Sequence, residues 1–145
     1  MNTYKGYYKP RNPNKYKGDP SNIIYRSSWE RMCMVYFDNN PNVLQWGSEE
    51  VVIPYRSPID GRLHRYFPDF LIKVRTAKGS TDTILIEVKP YNQTQPPQKR
   101  SRKTKKYISE VATYGINTSK WHFAKEYCKD RGWKFQIITE KELGL

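Results

Sequence analysis

The sequence predicts an α/β fold in which a mixed sheet is flanked by helices, and three observations predict it. An amphipathic helix comes early in the chain. Three β-rich runs separated by turn signals follow it, as an antiparallel meander. Helical periodicity then crosses to one more strand, so the elements read α-β-β-β-α-α-β. A chain of 145 residues holds one such domain around a single core.

Residues 1–22, MNTYKGYYKPRNPNKYKGDPSN, carry three prolines, two glycines and almost no aliphatic side chain. They read as a basic, Tyr/Lys-rich extended arm outside the core, with 23–145 as the domain. In RSSWERMCMVYFDNNP, Trp29, Met32, Cys33, Tyr36 and Phe37 recur at helical spacing as one apolar face. Ser27 and Glu30 fit a capping box, and Pro41 ends the element. EEVVIPY (49–55) reads as the first strand, Asp60-Gly61 as a hairpin turn, and HRYFPDFLIKVR (64–75) as the returning strand. TILIEVK (83–89) is the third strand. Residues 90–102 form a Pro/Gln/Lys/Arg linker. KTKKYISEVATYG and SKWHFAKEYCKDRG read as two helices stopped by Gly115 and Gly132. WKFQIIT (133–139) is the last strand, and Thr139 with Glu142 caps a terminal turn.

Composition excludes several classes. No apolar run approaches the roughly 18 residues that span a bilayer, so no membrane partner is expected. The N-terminus has no hydrophobic secretory segment. Action in a cytoplasm, or in something assembled there, is the expectation. Cys33 and Cys128 match no zinc spacing and read as reduced, structural thiols. There is no phosphate-binding glycine loop and no nucleophile–histidine–acid set. His64, beside a turn, and His122, beside Trp121, have no partner of ligand type.

The net charge of +12 is unevenly spread. Residues 1–20 hold five basic residues against Asp19, and 89–106 hold seven with no acid, which leaves the body nearly neutral. Basic extensions on a neutral body suit a polyanion partner. Charge runs alone fit solvated tails equally well, so the reading depends on the rest of the chain.

Two carboxylates stand where a sheet interior is expected. Asp69 lies among Tyr66, Phe67, Phe70 and Leu71, and Glu87 lies in ILIEVK. A charged carboxylate there costs several kcal/mol unless compensated, and two together repel, raising one pKa. A divalent cation removes the conflict: Asp69, Glu87 and a backbone carbonyl, that of Val88, are hard oxygen ligands suited to Mg²⁺. Lys89, two residues after Glu87, emerges on the same face. There its charge favours the hydroxide form of an attacking water and stabilises charge growing on a phosphoryl group. Either motif alone also fits a strand-end salt bridge of small consequence. The basic linker that follows at once favours the catalytic reading. Lys99, Arg100, Arg102, Lys103, Lys105 and Lys106 would draw DNA across the site through phosphates, without reading sequence. Glu49 and Glu50, at the start of the first strand, are auxiliary candidates.

Pro68-Asp69, seventeen residues, then Glu87-Val88-Lys89 resembles the signature of the PD-(D/E)xK nucleases. The element order resembles their restriction-endonuclease-like core with one extra helix. NIIYRSSWE, SEEVVIPYRSPIDGRLHRYFPDF, IEVKP and CKDRGWKFQIITEKELG look like the head completion nucleases of T-even-like tailed phages and, more distantly, TnsA-type transposon endonucleases. That resemblance implies a Mg²⁺-dependent deoxyribonuclease, Mn²⁺ substituting, that processes packaged DNA at the capsid portal before head–tail joining. It implies a place in the host cytoplasm during assembly and in the head–neck region of the virion. It carries Asp69 and Glu87 over as metal ligands and Lys89 as the catalytic lysine. Glu30 matches the first-helix acid of TnsA-type enzymes, although it also fits the third helical position of a capping box. Two alternatives stand beside it: a non-catalytic DNA-binding virion or connector protein, and a junction- or end-specific DNA processing endonuclease.

Overall fold

The computed structural model describes residues 3–145, with side chains from Lys5 onward; Met1 and Asn2 of the expected arm lie outside the described residues. Strand β1 (Thr3–Tyr7) pairs antiparallel with β2 (Ile24–Ser27), which runs directly into α1 (Ser28–Asn39). Next come β3 (Val43–Ser48), the hairpin of β4 (Ile53–Arg56) and β5 (Leu63–Tyr66), then β6 (Phe70–Arg75) and β7 (Thr81–Val88). Helix α2 (Lys105–Arg131) crosses back to β8 (Lys134–Ile138), and the short α3 (Glu140–Leu143) ends the chain under a Thr139–Glu142 capping box. The central sheet has the order β3-β6-β7-β8, with β8 parallel to β7 and the other pairs antiparallel. It is the expected mixed sheet between helices. Among the described residues no helix is long and apolar enough to cross a membrane.

Side-chain alternation divides the core. Phe70, Ile72, Ile86 and Val88 face α1, where Trp46 is fully buried among Phe37, Phe70, Tyr8 and Tyr16. Edge-on and tilted ring pairs of this kind contribute about 0.5–1.5 kcal/mol each beyond the area they bury. Leu71, Leu85, Phe135 and Ile137 face α2, packing with Trp121, Ala124, Cys128 and the hairpin's Ile53, Tyr55 and Tyr66. Both cysteines are buried free thiols, as expected.

Several expectations are corrected. The strand beside β6 is β3, over residues where no element is expected. The expected first strand, 49–55, contributes only β4, whose partner is β5 in a separate two-stranded sheet. The single strand expected over 64–75 breaks at residues 67–69, where buried Pro68 has no N–H to offer a ladder.

The two helices expected after the linker are one. Gly115 lies inside α2 against Pro58, where an added Cβ would stand 3.7 Å from the proline Cγ. An interior glycine costs only about 1 kcal/mol relative to alanine, which the packing along 27 residues absorbs. Gly132 does end the helix, at φ 70° with its N–H on the carbonyls of Cys128 and Lys129.

Helix α1 is rotated from the expected apolar face. Cys33, Met34, Phe37 and Asp38 are buried, whereas Met32 and Tyr36 are 38% and 59% exposed. The cause is the segment expected to lie outside the core. It is extended, but it docks on α1 and β3. Tyr8 is buried and donates its hydroxyl to Asp38 Oδ2 at 2.6 Å, while the N–H groups of Arg11 and Asn12 donate to the same carboxylate at 2.7 and 3.0 Å. Lys15 Nζ donates to the carbonyls of Phe37, Asp38 and Asn40, placing a cation on the negative end of α1.

Burial pushes the Asp38 pKa up, but the hydrogen bonds from Tyr8, Arg11 and Asn12 outweigh it and hold the carboxyl below its usual range. Its contribution is thus present above the ordinary carboxylate pKa and lost as pH falls through the lowered value. Asp38→Ala is expected to cost about 3 kcal/mol in urea unfolding at neutral pH. It should also open residues 8–22 to proteolysis. A variant as stable as wild type with a protected arm would refute this anchoring role.

Candidate active site

Pairing between β6 and β7 ends at Phe70 opposite Ile86, so Glu87, Val88 and Asp69 lie just past the last rung. The freed N–H of Val88 donates to Asp69 Oδ2 at 2.8 Å, and the N–H of Glu49 donates to the Asp69 carbonyl at 3.1 Å. These bonds fix Asp69 in the gap that Pro68 opens. Glu87, on β7, lies on the α2 face beside Leu85 and is 6% exposed. Its Oε2 accepts the hydroxyl of Tyr66, the last residue of β5. The carboxyl groups of Asp69 and Glu87 are in hydrogen-bonding contact.

Electrostatics follow from that contact. Burial drives the Asp69 pKa well above the carboxylate range, with the Glu87 charge and the shared hydrogen bond adding to it; the Val88 N–H and the Lys89 charge pull the other way. Lys89 emerges where β7 ends, its backbone N–H tied to Ile138 of β8 at 3.0 Å. Two desolvated carboxyls in contact need a shared proton or a cation between them. The donor set is hard oxygen, which fits Mg²⁺. Among the described residues no group of three or more His, Cys, Asp or Glu is gathered around one metal position. Asp69 and Glu87 are thus the two carboxyls that could hold such an ion.

Glu30 comes close without joining the pair. Its N–H donates to Ser27 Oγ at 3.1 Å, and its carboxylate accepts the Ser27 hydroxyl at 3.2 Å and the Arg26 N–H at 3.4 Å. Burial and then the Asp69 charge raise its pKa. The two sequence readings of Glu30 thus coexist: it caps α1 and stands in the field of Asp69. Burial, with Asp69 and Glu30 nearby, pushes the Cys33 thiol up to about 12, so this cysteine is protonated and inert.

The other candidates lie apart. Exposed Glu49 pairs with Arg26 at 2.7 Å, and Glu50 is exposed, its stem packed over Gly47. His64 pairs with Asp60 at 2.8 Å on the surface, and His122 is exposed. Lys99, Arg100, Arg102, Lys103, Lys105 and Lys106 are all exposed, and none makes an ion pair among the described residues. They line the approach to the N-terminus of α2.

Sequence reasoning misses two groups. Tyr66 looks like a core aromatic, yet its hydroxyl orients Glu87. Lys120 looks like surface decoration beside Trp121. It is half-buried, its Nζ over the rings of Tyr55 and Tyr66 at 5.6 and 5.5 Å, in the field of Glu87, Lys89 and Asp69. Burial lowers its pKa. The signal available was its spacing, three residues after Asn117 and four before Ala124, on the buried stripe of the helix.

Residues 40–140 match the family described as TnsA-like endonuclease N terminal. The chain belongs to that family. It is also similar to the head completion nuclease of Enterobacteria phage T4, 41% identical over 144 residues, covering 97% of this chain and 93% of the relative. No solved structure matches it. The TnsA-like span contains Asp69, Tyr66, Glu87, Lys89 and Lys120; Glu30 precedes it.

An acid whose folded pKa is raised favours the fold below its unfolded pKa and weakens it as pH rises through the folded value. Asp69→Asn keeps an oxygen for the Val88 N–H and removes the like charge. In EDTA, wild-type melting temperature is expected to fall relative to Asp69→Asn as pH rises above the ordinary carboxylate range. The variant should be a few degrees more stable at the higher pH, about 1 kcal/mol. Parallel pH profiles would show that the pair is not in conflict.

Proposed function

We propose that the protein is a Mg²⁺-dependent nuclease that hydrolyses DNA phosphodiesters by direct attack of water. Its place is phage head completion, on packaged DNA at the portal before the tail joins. The reading is carried by the contact of half-buried Asp69 with buried Glu87, in the field of Lys89, in a chain so similar to a head completion nuclease. It assigns the protein to the cytoplasm of the infected cell during assembly and to the head–neck region of the particle.

In this reading Asp69, Glu87 and the Val88 carbonyl hold the ion, with Mn²⁺ able to replace Mg²⁺ at such oxygen donors. When bound, the ion polarises the phosphoryl group and neutralises charge on its oxygens. Tyr66 fixes the Glu87 carboxylate through its hydroxyl. Lys89 sets an ammonium beside the attacking water and the phosphoryl oxygens, where negative charge grows during attack. Glu30, at the start of α1 and in the field of Asp69, is the third acid of the site and helps to orient that water. The unpaired cations from Lys99 to Lys106 hold the strand by its phosphates, which makes binding independent of sequence.

Linear duplex incubated with Mg²⁺ is expected to be cut, and EDTA to abolish cutting. Asp69→Ala and Lys89→Ala should each slow the cut by about a hundred- to a thousandfold. Undiminished cleavage by either variant sinks the assignment. Replacing Lys99, Arg100 and Arg102 together by alanine should reduce the slope of log affinity against log salt by roughly 2–3. An unchanged slope would remove this segment from the DNA interface.

A further inference from the structure

One cavity lies along the N-terminal half of α2. The chain leaving Lys89 turns at Tyr91–Thr94 and runs back along α2, enclosing a groove of about 420 Å³. One wall carries the amides of Asn92, Gln93 and Gln95; the other carries Thr113, Tyr114 and Asn117 of α2, with Lys106 and Glu110 toward the helix N-terminus. At three- and four-residue spacing, Lys106, Glu110, Thr113, Asn117 and Lys120 share one helix face. That face continues into Ala124 and Cys128, which pack under the sheet. The stripe changes from apolar to polar where the helix passes the end of β7. A helix needing only to cover a core would not do this.

Asn117 is the sharpest sign. The residue is 5% exposed and lines the groove, and its side chain makes no hydrogen bond among the described residues. Its amide atoms are not sealed off as the indole N–H groups of Trp46 and Trp121 are, so they are open to a ligand entering the groove. One turn along, the Lys120 ammonium sits over two tyrosine rings without a hydrogen bond or ion pair among the described residues.

We infer that this groove is a subsite for one unpaired nucleotide of the strand being cut, next to the scissile phosphate. Every part of a nucleotide finds its partner type there. The amides of Asn92, Gln93, Gln95 and Asn117 pair with the edge of a base, as Asn and Gln do elsewhere. Tyr114 offers a stacking face. Glu110 accepts from an exocyclic amine. Lys106 and Lys120 stand at opposite ends of the stripe, Lys120 in the field of Asp69, Glu87 and Lys89, as phosphate contacts flanking the base. A base in a stacked duplex cannot enter a groove walled on both sides, so the nucleotide must come from a single-stranded end or be extruded.

This inference rests on the nuclease reading, and the two fail separately, because the test is binding in EDTA and needs no chemistry. The probes are a fluorescent blunt duplex and the same duplex with a short single-stranded extension of either polarity. Wild type should bind an extended duplex about tenfold tighter than the blunt one. Asn117→Leu and Thr113→Trp, the second filling the groove from an exposed position, should erase that preference and keep the blunt-duplex affinity. Equal affinities in wild type overturn the subsite, as does a preference that survives both substitutions. Should Asn117→Leu fail to fold by circular dichroism, Thr113→Trp decides alone. A collapse of Asp69→Ala cleavage with no extension preference leaves the nuclease reading standing without the subsite.

Discussion

Asp69 and Glu87 are held in contact at the point where β6 and β7 stop exchanging backbone bonds, and this contact sets terms for everything around it. A carboxylate pair out of water is unfavourable in an apolar sheet. The surroundings make it tolerable with directed groups: the Val88 N–H on Asp69, the Tyr66 hydroxyl on Glu87, and the Lys89 charge at the strand end. Each exists because the sheet is interrupted there. Pro68 ends the strand pairing, so Val88 has an N–H to spare and the Asp69 side chain has room to receive it.

The opposing face of the same sheet is built differently. Trp46, Phe37 and Phe70 form a close-packed aromatic core with Tyr8 and Tyr16, contributed by the first residues of the chain. The arm is therefore part of what keeps β3 and β6 fixed, and Asp38 and Lys15 are its fasteners. The α2 side has an apolar cluster of its own, and beside it stand two acids in contact and a half-buried lysine.

The site was more legible in the sequence than the topology around it. Charged residues inside apolar β-runs stand out, because burial without compensation is so costly, and that logic singles out Asp69, Glu87 and Lys89, which the fold brings together. It missed Lys120 and Tyr66. A lysine on a helix is usually solvated, a tyrosine in a strand is usually core, and both draw their roles from elements distant in sequence. Topology went astray where local signals are weak. Gly115 resembles a helix stop until tertiary packing against Pro58 makes an interior glycine affordable. Met32 and Tyr36 complete an apolar helical face on paper, but docking of residues 8–16 rotates burial toward Met34 and Asp38. No element is expected over 43–48, between a helix stop and a pair of acids, and its pairing with β6 makes it a strand.

Lys120 and Tyr66 also explain why the hairpin belongs to the site. The β4–β5 pair lies outside the central sheet, and a two-stranded ribbon alone is barely stable. It is held by α2, through Ile53 and Tyr55 against Trp121 and through Ser119, whose hydroxyl donates to the Arg56 carbonyl at 2.7 Å. In return it supplies the two rings under Lys120 and the hydroxyl on Glu87. Sheet, helix and hairpin thus each hold one member of the charged cluster. A shift of α2 changes the distance from Lys120 to the carboxylates without disturbing the Asp69–Val88 bond. A change in the hairpin releases Glu87 while Asp69 stays fixed. The cluster is assembled from elements far apart in sequence, so its geometry depends on how α2 and the hairpin pack against each other beside the end of β7.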